Sequence, residues 1–109
     1  MKIPPNAIIP WSKLTEYLLV PRQRNDKAKF LAQAGFTTDN PAALERAIRA
    51  LITLHDATPD RHAEYGIFYQ VTGDLIGPHG ILTVVTVWLL RTDDGLFRFV
   101  TLKPARRMR

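Results

Sequence analysis

Apolar residues in this chain recur at two different periods, and the change comes near residue 60. In the first half they fall three and four apart: Trp11, Leu14 and Leu18; Phe30, Leu31 and Ala34; Leu44, Ile48, Leu51 and Ile52, with His55 at the end of the last stripe. That spacing lines each set along one buried face of a helix. Signals at the segment ends agree. Pro10 opens the first helix, Pro10–Leu19, without sacrificing a needed donor, and Pro21 ends it. Asn25 or Asp26 caps a second helix through Ala34, which Gly35 terminates. Asn40 and Pro41 open a third, with Glu45, Arg46 and Arg49 facing water, and Thr58-Pro59-Asp60 closes it.

Beyond residue 64 the pattern alternates. Tyr65, Ile67, Tyr69, Val71 and Leu75 share one face of a strand, and Gly77-Pro78-His79-Gly80 is a turn. Ile81–Arg91 is apolar on both faces, as a central strand is. Asp93-Asp94-Gly95 is a hairpin signal, and Leu96–Lys103 returns as the next strand, ended by Pro104. A two-residue loop at Asp94-Gly95 pairs Trp88 with Thr101, Thr86 with Lys103 and Arg98 with Arg91. A four-residue loop at 77–80 pairs Tyr69 with Trp88 and Val71 with Thr86. The fold class expected is α+β, with three N-terminal helices followed by a twisted antiparallel sheet of three to four strands. Residues 1–104 form a single domain on this reading, and 105–109 a flexible basic tail.

Composition narrows the chemistry. Zero cysteines among 109 residues exclude disulfides, thiol nucleophiles and thiolate metal sites. His55, His62 and His79 lack the spacing of a zinc site, so no metal is expected. No phosphate-cradling glycine loop, dinucleotide fingerprint or nucleophile elbow occurs, and no cofactor is implied. No run of about 18 apolar residues could span a membrane, and the start lacks a signal-peptide core, so a cytoplasmic protein is expected.

Charge changes the picture more. Residues 1–30 hold six Lys/Arg against two acids, and residues 96–109 hold five with no acid. The stretch between has four basic and eight acidic residues. If both ends reach one surface, a basic patch sits on a mildly acidic body, which suits a polyanion such as RNA. Cleaving RNA without a metal needs only help for its own 2′-hydroxyl: a group to assist proton removal, cations or hydroxyls against the phosphorane, and a proton for the leaving oxygen. Lys27 and Lys29 at the start of the second helix, Arg98 in the last strand, and Thr86 and Thr101 are residues of that kind. His62 stands ahead of the first strand. Trp88 and Tyr69 serve either as core or as base-stacking surfaces.

Several segments carry a family resemblance. They are Ile9-Pro-Trp-Ser-Lys-Leu-Thr-Glu-Tyr-Leu-Leu19, Asp26-Lys-Ala-Lys-Phe30, Glu64-Tyr-Gly66, Gly73-Asp-Leu-Ile-Gly-Pro-His-Gly80, Val84-Val-Thr-Val-Trp88 and Arg98-Phe-Val-Thr101. Over roughly residues 5–104 the chain resembles a small bacterial domain family of unknown function whose members look like toxins of toxin–antitoxin pairs or toxin-tip domains. That family is distantly similar to the barnase/EndoU/colicin/RelE class of metal-independent ribonucleases. The resemblance implies a RelE/barnase-like sheet with the active site on its face, and catalytic roles for Lys27, Arg98, Thr101 and Thr86. Family members commonly continue the last strand as Thr-Ala-Tyr-Pro, where this chain has Thr101-Leu-Lys-Pro104.

The function expected is therefore an endoribonuclease toxin acting on cellular RNA and neutralised by an acidic antitoxin. Lys29, His62, Trp88, Lys103, Arg106 and Arg107 would bind the substrate. The alternative is a non-catalytic module that docks a partner protein on its sheet, as a homodimer or heterocomplex. An enzyme on another phosphate-rich substrate is a third reading.

Overall fold

The computed structural model describes residues 1–23 and 26–105. The fold is broadly α+β, but the expected layer of three helices ahead of a RelE/barnase-like sheet is corrected. The helix expected over Pro10–Leu19 is one α turn, α1 (Trp11–Lys13), running into a π turn over Leu14–Leu18. The wider π turn rotates the chain, so Leu14 and Leu18 are buried while Trp11, expected beside them, is half exposed. The second helix, α2 (Lys27–Ala32), has only six residues. Asp26 caps it by accepting from the Lys29 N–H at 3.0 Å, and Gly35, at φ 91°, turns the chain away soon after its end.

Among the described residues only α3 (Pro41–Leu54) is a full-length helix. Its buried stripe is Leu44, Ala47, Ile48, Leu51 and Ile52. Asn40 occupies the cap position, but its side chain serves the preceding turn instead. It accepts from the Thr37 N–H at 2.8 Å and donates to the Gly35 carbonyl at 2.9 Å. Arg49 joins this helix to the N-terminal segment by donating to the Ala7 carbonyl at 3.1 Å. The Ala57 N–H donates to the Met1 carbonyl at 2.7 Å, which holds the start of the described chain against the body of the protein.

Four strands follow as an antiparallel meander in spatial order β1 (Thr58–Ala63), β2 (Gly66–Gly77), β3 (Gly80–Arg91) and β4 (Phe97–Pro104). β1 was not expected. It contains Pro59, has no apolar alternation and is exposed for nearly its whole length, so only backbone pairing along β2 makes it a strand. Proline is tolerated there because it lies on a sheet edge. The β2–β3 pairing has Tyr69 opposite Trp88 and Val71 opposite Thr86, the expected register.

The β3–β4 register differs from the expected one in two ways. Leu90 pairs with Phe97, so the connection is longer than two residues and Arg98 lies opposite Leu89, not Arg91. Then a bulge intervenes: Trp88 faces Phe99, but Val87 faces Thr101, leaving Val100 as the extra residue. The longer loop shifts pairing by an even number and keeps each side chain on its face. The bulge shifts it by one and reverses every side chain after it.

The sheet's two faces are consequently unlike. Val71, Leu75, Val84, Trp88, Phe99 and Leu102 pack beneath α3 and the N-terminal turns as one buried cluster. On the opposite, open face Val85, Val87 and Leu89 are only half-buried and stand outside that cluster. The outer edge of β4 is covered at its start by Ile8, which donates to the Phe97 carbonyl and accepts from the Phe99 N–H, each at 2.8 Å.

Candidate functional site

Just past the point where Ile8 stops covering β4, three functional groups from three elements meet. The Lys27 ammonium, on the first residue of α2, donates to the Thr101 hydroxyl at 2.8 Å and to the Tyr17 phenol oxygen at 3.3 Å. Tyr17 comes from the π turn. Thr101 is brought there by the Val100 bulge, which leaves it on the open side of the sheet. An ammonium has three donors, so one Lys27 N–H remains for a ligand. Tyr17, accepting at its oxygen, keeps its own proton to give.

Three cations surround the Tyr17 ring. Lys13, Arg22 and Lys27 all approach its ring, at 5.9, 5.2 and 5.5 Å from the centroid. The Thr101 hydroxyl and then the Lys27 ammonium, both hydrogen-bonding to the phenol oxygen, hold the Tyr17 phenol below its ordinary pKa. Tyr17, Lys27, Phe30, Lys103 and Pro104, with the capping Asp26, line a cleft of about 430 Å³. Among the described residues none of these lysines forms an ion pair. The arrangement has the charge and the donors to take an anion, with a hydroxyl and a proton-bearing phenol at its floor.

The other sequence candidates divide by location. Lys103 joins the cleft. Arg98 shares the open face with Thr101, opposite Leu89 where Thr101 is opposite Val87, about 7 Å along the strand. Its guanidinium is occupied: it donates to both Asp94 carboxylate oxygens, at 2.6 and 3.2 Å. That pair drives Asp94 down to about 2 and raises Arg98. Arg91 likewise donates to Asp93 at 2.8 Å. Lys29 points to a different cleft, beside Leu19, Pro21 and Thr37.

Thr86 and Trp88 lie inside the core, both wholly buried. The Trp88 indole N–H donates to the Thr86 hydroxyl, and that hydroxyl donates to the Val71 carbonyl, each at 2.9 Å. No ligand reaches them. His62 is exposed on β1 opposite Ile67, so it takes the face away from Thr101 and the far edge of the sheet. Three strand spacings, about 14 Å, separate the two edges. Arg106 and Arg107 lie outside the described residues. Tyr17 is the residue of this candidate site that sequence reasoning missed. Its one signal is its place four residues after Lys13, off the Leu14–Leu18 stripe. The π turn that aims it has no signature in residue type.

Among the described residues no cluster of three His, Asp or Glu could hold a metal ion, and no helix is long and apolar enough to cross a membrane. No curated protein and no solved structure matches the chain. Residues 4–106 match the family described as a domain of unknown function, DUF6883, and the chain belongs to that family.

Proposed function

We propose that this protein is a metal-independent endoribonuclease of the toxin type, acting on cytoplasmic RNA and held in check by an acidic antitoxin that covers its basic cleft. One observation carries the reading: an ammonium, a hydroxyl and a phenol of lowered pKa converge within hydrogen-bond distance in an unpaired basic cleft.

In this reading the scissile phosphate sits against the free Lys27 N–H, and the Thr101 hydroxyl rotates its one proton from the phenol oxygen to the phosphate, so that both oppose the charge that builds on its non-bridging oxygens. The RNA 2′-oxygen bonds to phosphorus and its proton passes to water. The bond from phosphorus to the 5′-oxygen breaks, and Tyr17 gives that oxygen its phenolic proton. The tyrosinate then regains a proton from solvent. A lowered pKa makes the phenol a better acid near neutrality. The products are a 2′,3′-cyclic phosphate and a 5′-hydroxyl.

Expression in bacteria should arrest growth and fragment RNA, leaving cyclic-phosphate ends. Tyrosinate absorbance should show Tyr17 titrating below the ordinary phenol value, and Lys27→Met should return it towards that value. Unimpaired growth with intact RNA, together with no cleavage by the purified protein, rejects the proposal.

A further inference from the structure

The open face of the sheet begins at the cleft and ends at a second cluster that the catalytic reading does not use. Strand pairing fixes two rows across it: Gln70, Val87 and Thr101, then Phe68, Leu89 and Arg98. Val87 and Leu89 form a half-buried apolar floor. At its far side Phe68 is covered by the Arg61 guanidinium, 4.5 Å from the ring centroid, and Tyr65 packs edge-on against the same ring at 6.4 Å. Arg61 is exposed and forms no ion pair among the described residues, and Tyr65 is 53% exposed. Arg61 sits in the irregular stretch of β1 where the register with β2 shifts, so this local distortion coincides with the residue laid over Phe68.

We infer that Arg61 and Tyr65, set over Phe68, form a base-stacking subsite, and that the open sheet face takes single-stranded RNA with its bases flat on Val87 and Leu89. Charge complementarity selects this occupant. A cation stands at each end of the apolar floor, Lys103 and Lys27 at the β4 side and Arg61 at the β1 side. A guanidinium plane resting on an aromatic ring is a surface on which bases stack. From Thr101 to Phe68 is two strand spacings across and one row along, about 12 Å, so the subsite receives a nucleotide beyond the scissile phosphate. A duplex keeps its bases stacked inside and has nothing to offer such a floor. Gln70, in the row between, presents an amide that can pair with a base edge.

This inference rests on the proposed function for what crosses the face, and binding tests it apart from cleavage. The probe is a fluorescein-labelled single-stranded RNA eight-mer with 2′-O-methyl groups, which cannot be cut, compared by anisotropy with its duplex at fixed salt. The single strand should bind more tightly than the duplex. Arg61→Ala and Tyr65→Ala should each weaken it about tenfold, whereas Arg46→Ala, which removes a cation from α3, should not. Both tested side chains are exposed, and circular dichroism checks that the variants fold. Binding that depends on Tyr65 without any cleavage of ordinary RNA supports the subsite and rejects the nuclease. Cleavage with affinity unchanged in both variants supports the nuclease and overturns the subsite. Preference for the duplex, or self-association abolished by the same substitutions with no RNA binding, also overturns it.

Discussion

Thr86 and Thr101 stand on adjacent strands, both were candidates for the same chemistry, and the fold gives them opposite fates. Thr86 is inside, where its hydroxyl joins the Trp88 indole to the Val71 carbonyl and nothing is left to offer. Thr101 is outside, where its hydroxyl accepts from Lys27 at the mouth of a cleft. In the expected register Thr101 would lie opposite Trp88 and Lys103 opposite Thr86, both on the core face. The Val100 bulge moves both residues to the open side and sends Leu102 inward. One unpaired residue thus separates a threonine locked in the core from one that meets Lys27 at a cleft.

The comparison is tested hardest at Lys27, which gives the outer threonine its setting. Lys27→Met should lower RNA cleavage about 100- to 1000-fold, the usual loss when one preorganised donor to a developing oxyanion is removed. Thermal unfolding should barely change, because the side chain is only partly buried. Single-turnover cleavage assays and a melting curve on the same sample separate the two.

Replacing each threonine by valine should then split stability from activity. Thr86→Val leaves the buried Trp88 N–H without its acceptor and should cost about 1–3 kcal/mol, read from denaturant midpoints. Thr101→Val, at a partly exposed edge, should change stability by no more than about 0.5 kcal/mol and reduce cleavage instead. If both variants lose stability equally, the two threonines do not differ in structural role.

How much of this was legible in the chain differs by element. The α3 stripe and the β2–β3 register could be read because long periodic runs leave few alternatives, and Tyr69 does face Trp88. β1 could not, since an exposed edge strand is specified by its neighbour's backbone and carries no pattern of its own. The π turn at Leu14–Leu18 similarly shifts a face with no marker in residue type. The bulge did leave a trace: Phe97, Phe99 and Leu102, the buried residues of β4, step by two and then by three. Lys27 and Thr101 were therefore recognisable as residue types, but their meeting depends on that odd step. Tyr17 was hidden for the same reason as the turn that holds it.

The bulge itself can be removed. Deleting Val100 joins Phe99 directly to Thr101, so Thr101 stays opposite Val87, Leu102 stays inside and Lys103 stays outside. The variant should fold with a loss of about 1 kcal/mol, in the middle of the range for single changes. Lys27 should still reach Thr101, observable as an unchanged Tyr17 titration. Inserting an alanine after Val100 instead widens the mismatch and should destabilise the protein more than the deletion does. A deletion that exposes Leu102 would mean that the bulge, and not the in–out pattern of the side chains, fixes the register.

The smallest effect concerns Arg98, which shares the face of Thr101 but is held by Asp94, and it sharpens the contrast between a bound and a free cation. The Asp94 carboxyl lies at about 2 against an ordinary 3.8, so the folded state favours its ionised form. A depressed carboxyl pKa contributes stability above the unfolded value and loses it as pH falls through the folded one. The stability difference between wild type and Asp94→Asn should therefore be constant above about pH 5 and shrink from about pH 4 to pH 2. Asp93, depressed by Arg91, remains in both proteins and cancels. At neutral pH the same variant releases the Arg98 guanidinium on the open face. RNA affinity should rise slightly, and the plot of log affinity against log salt should steepen by about one unit, the signature of one added phosphate contact. An unchanged slope would mean that Arg98, even when freed from Asp94, lies off the path of the RNA.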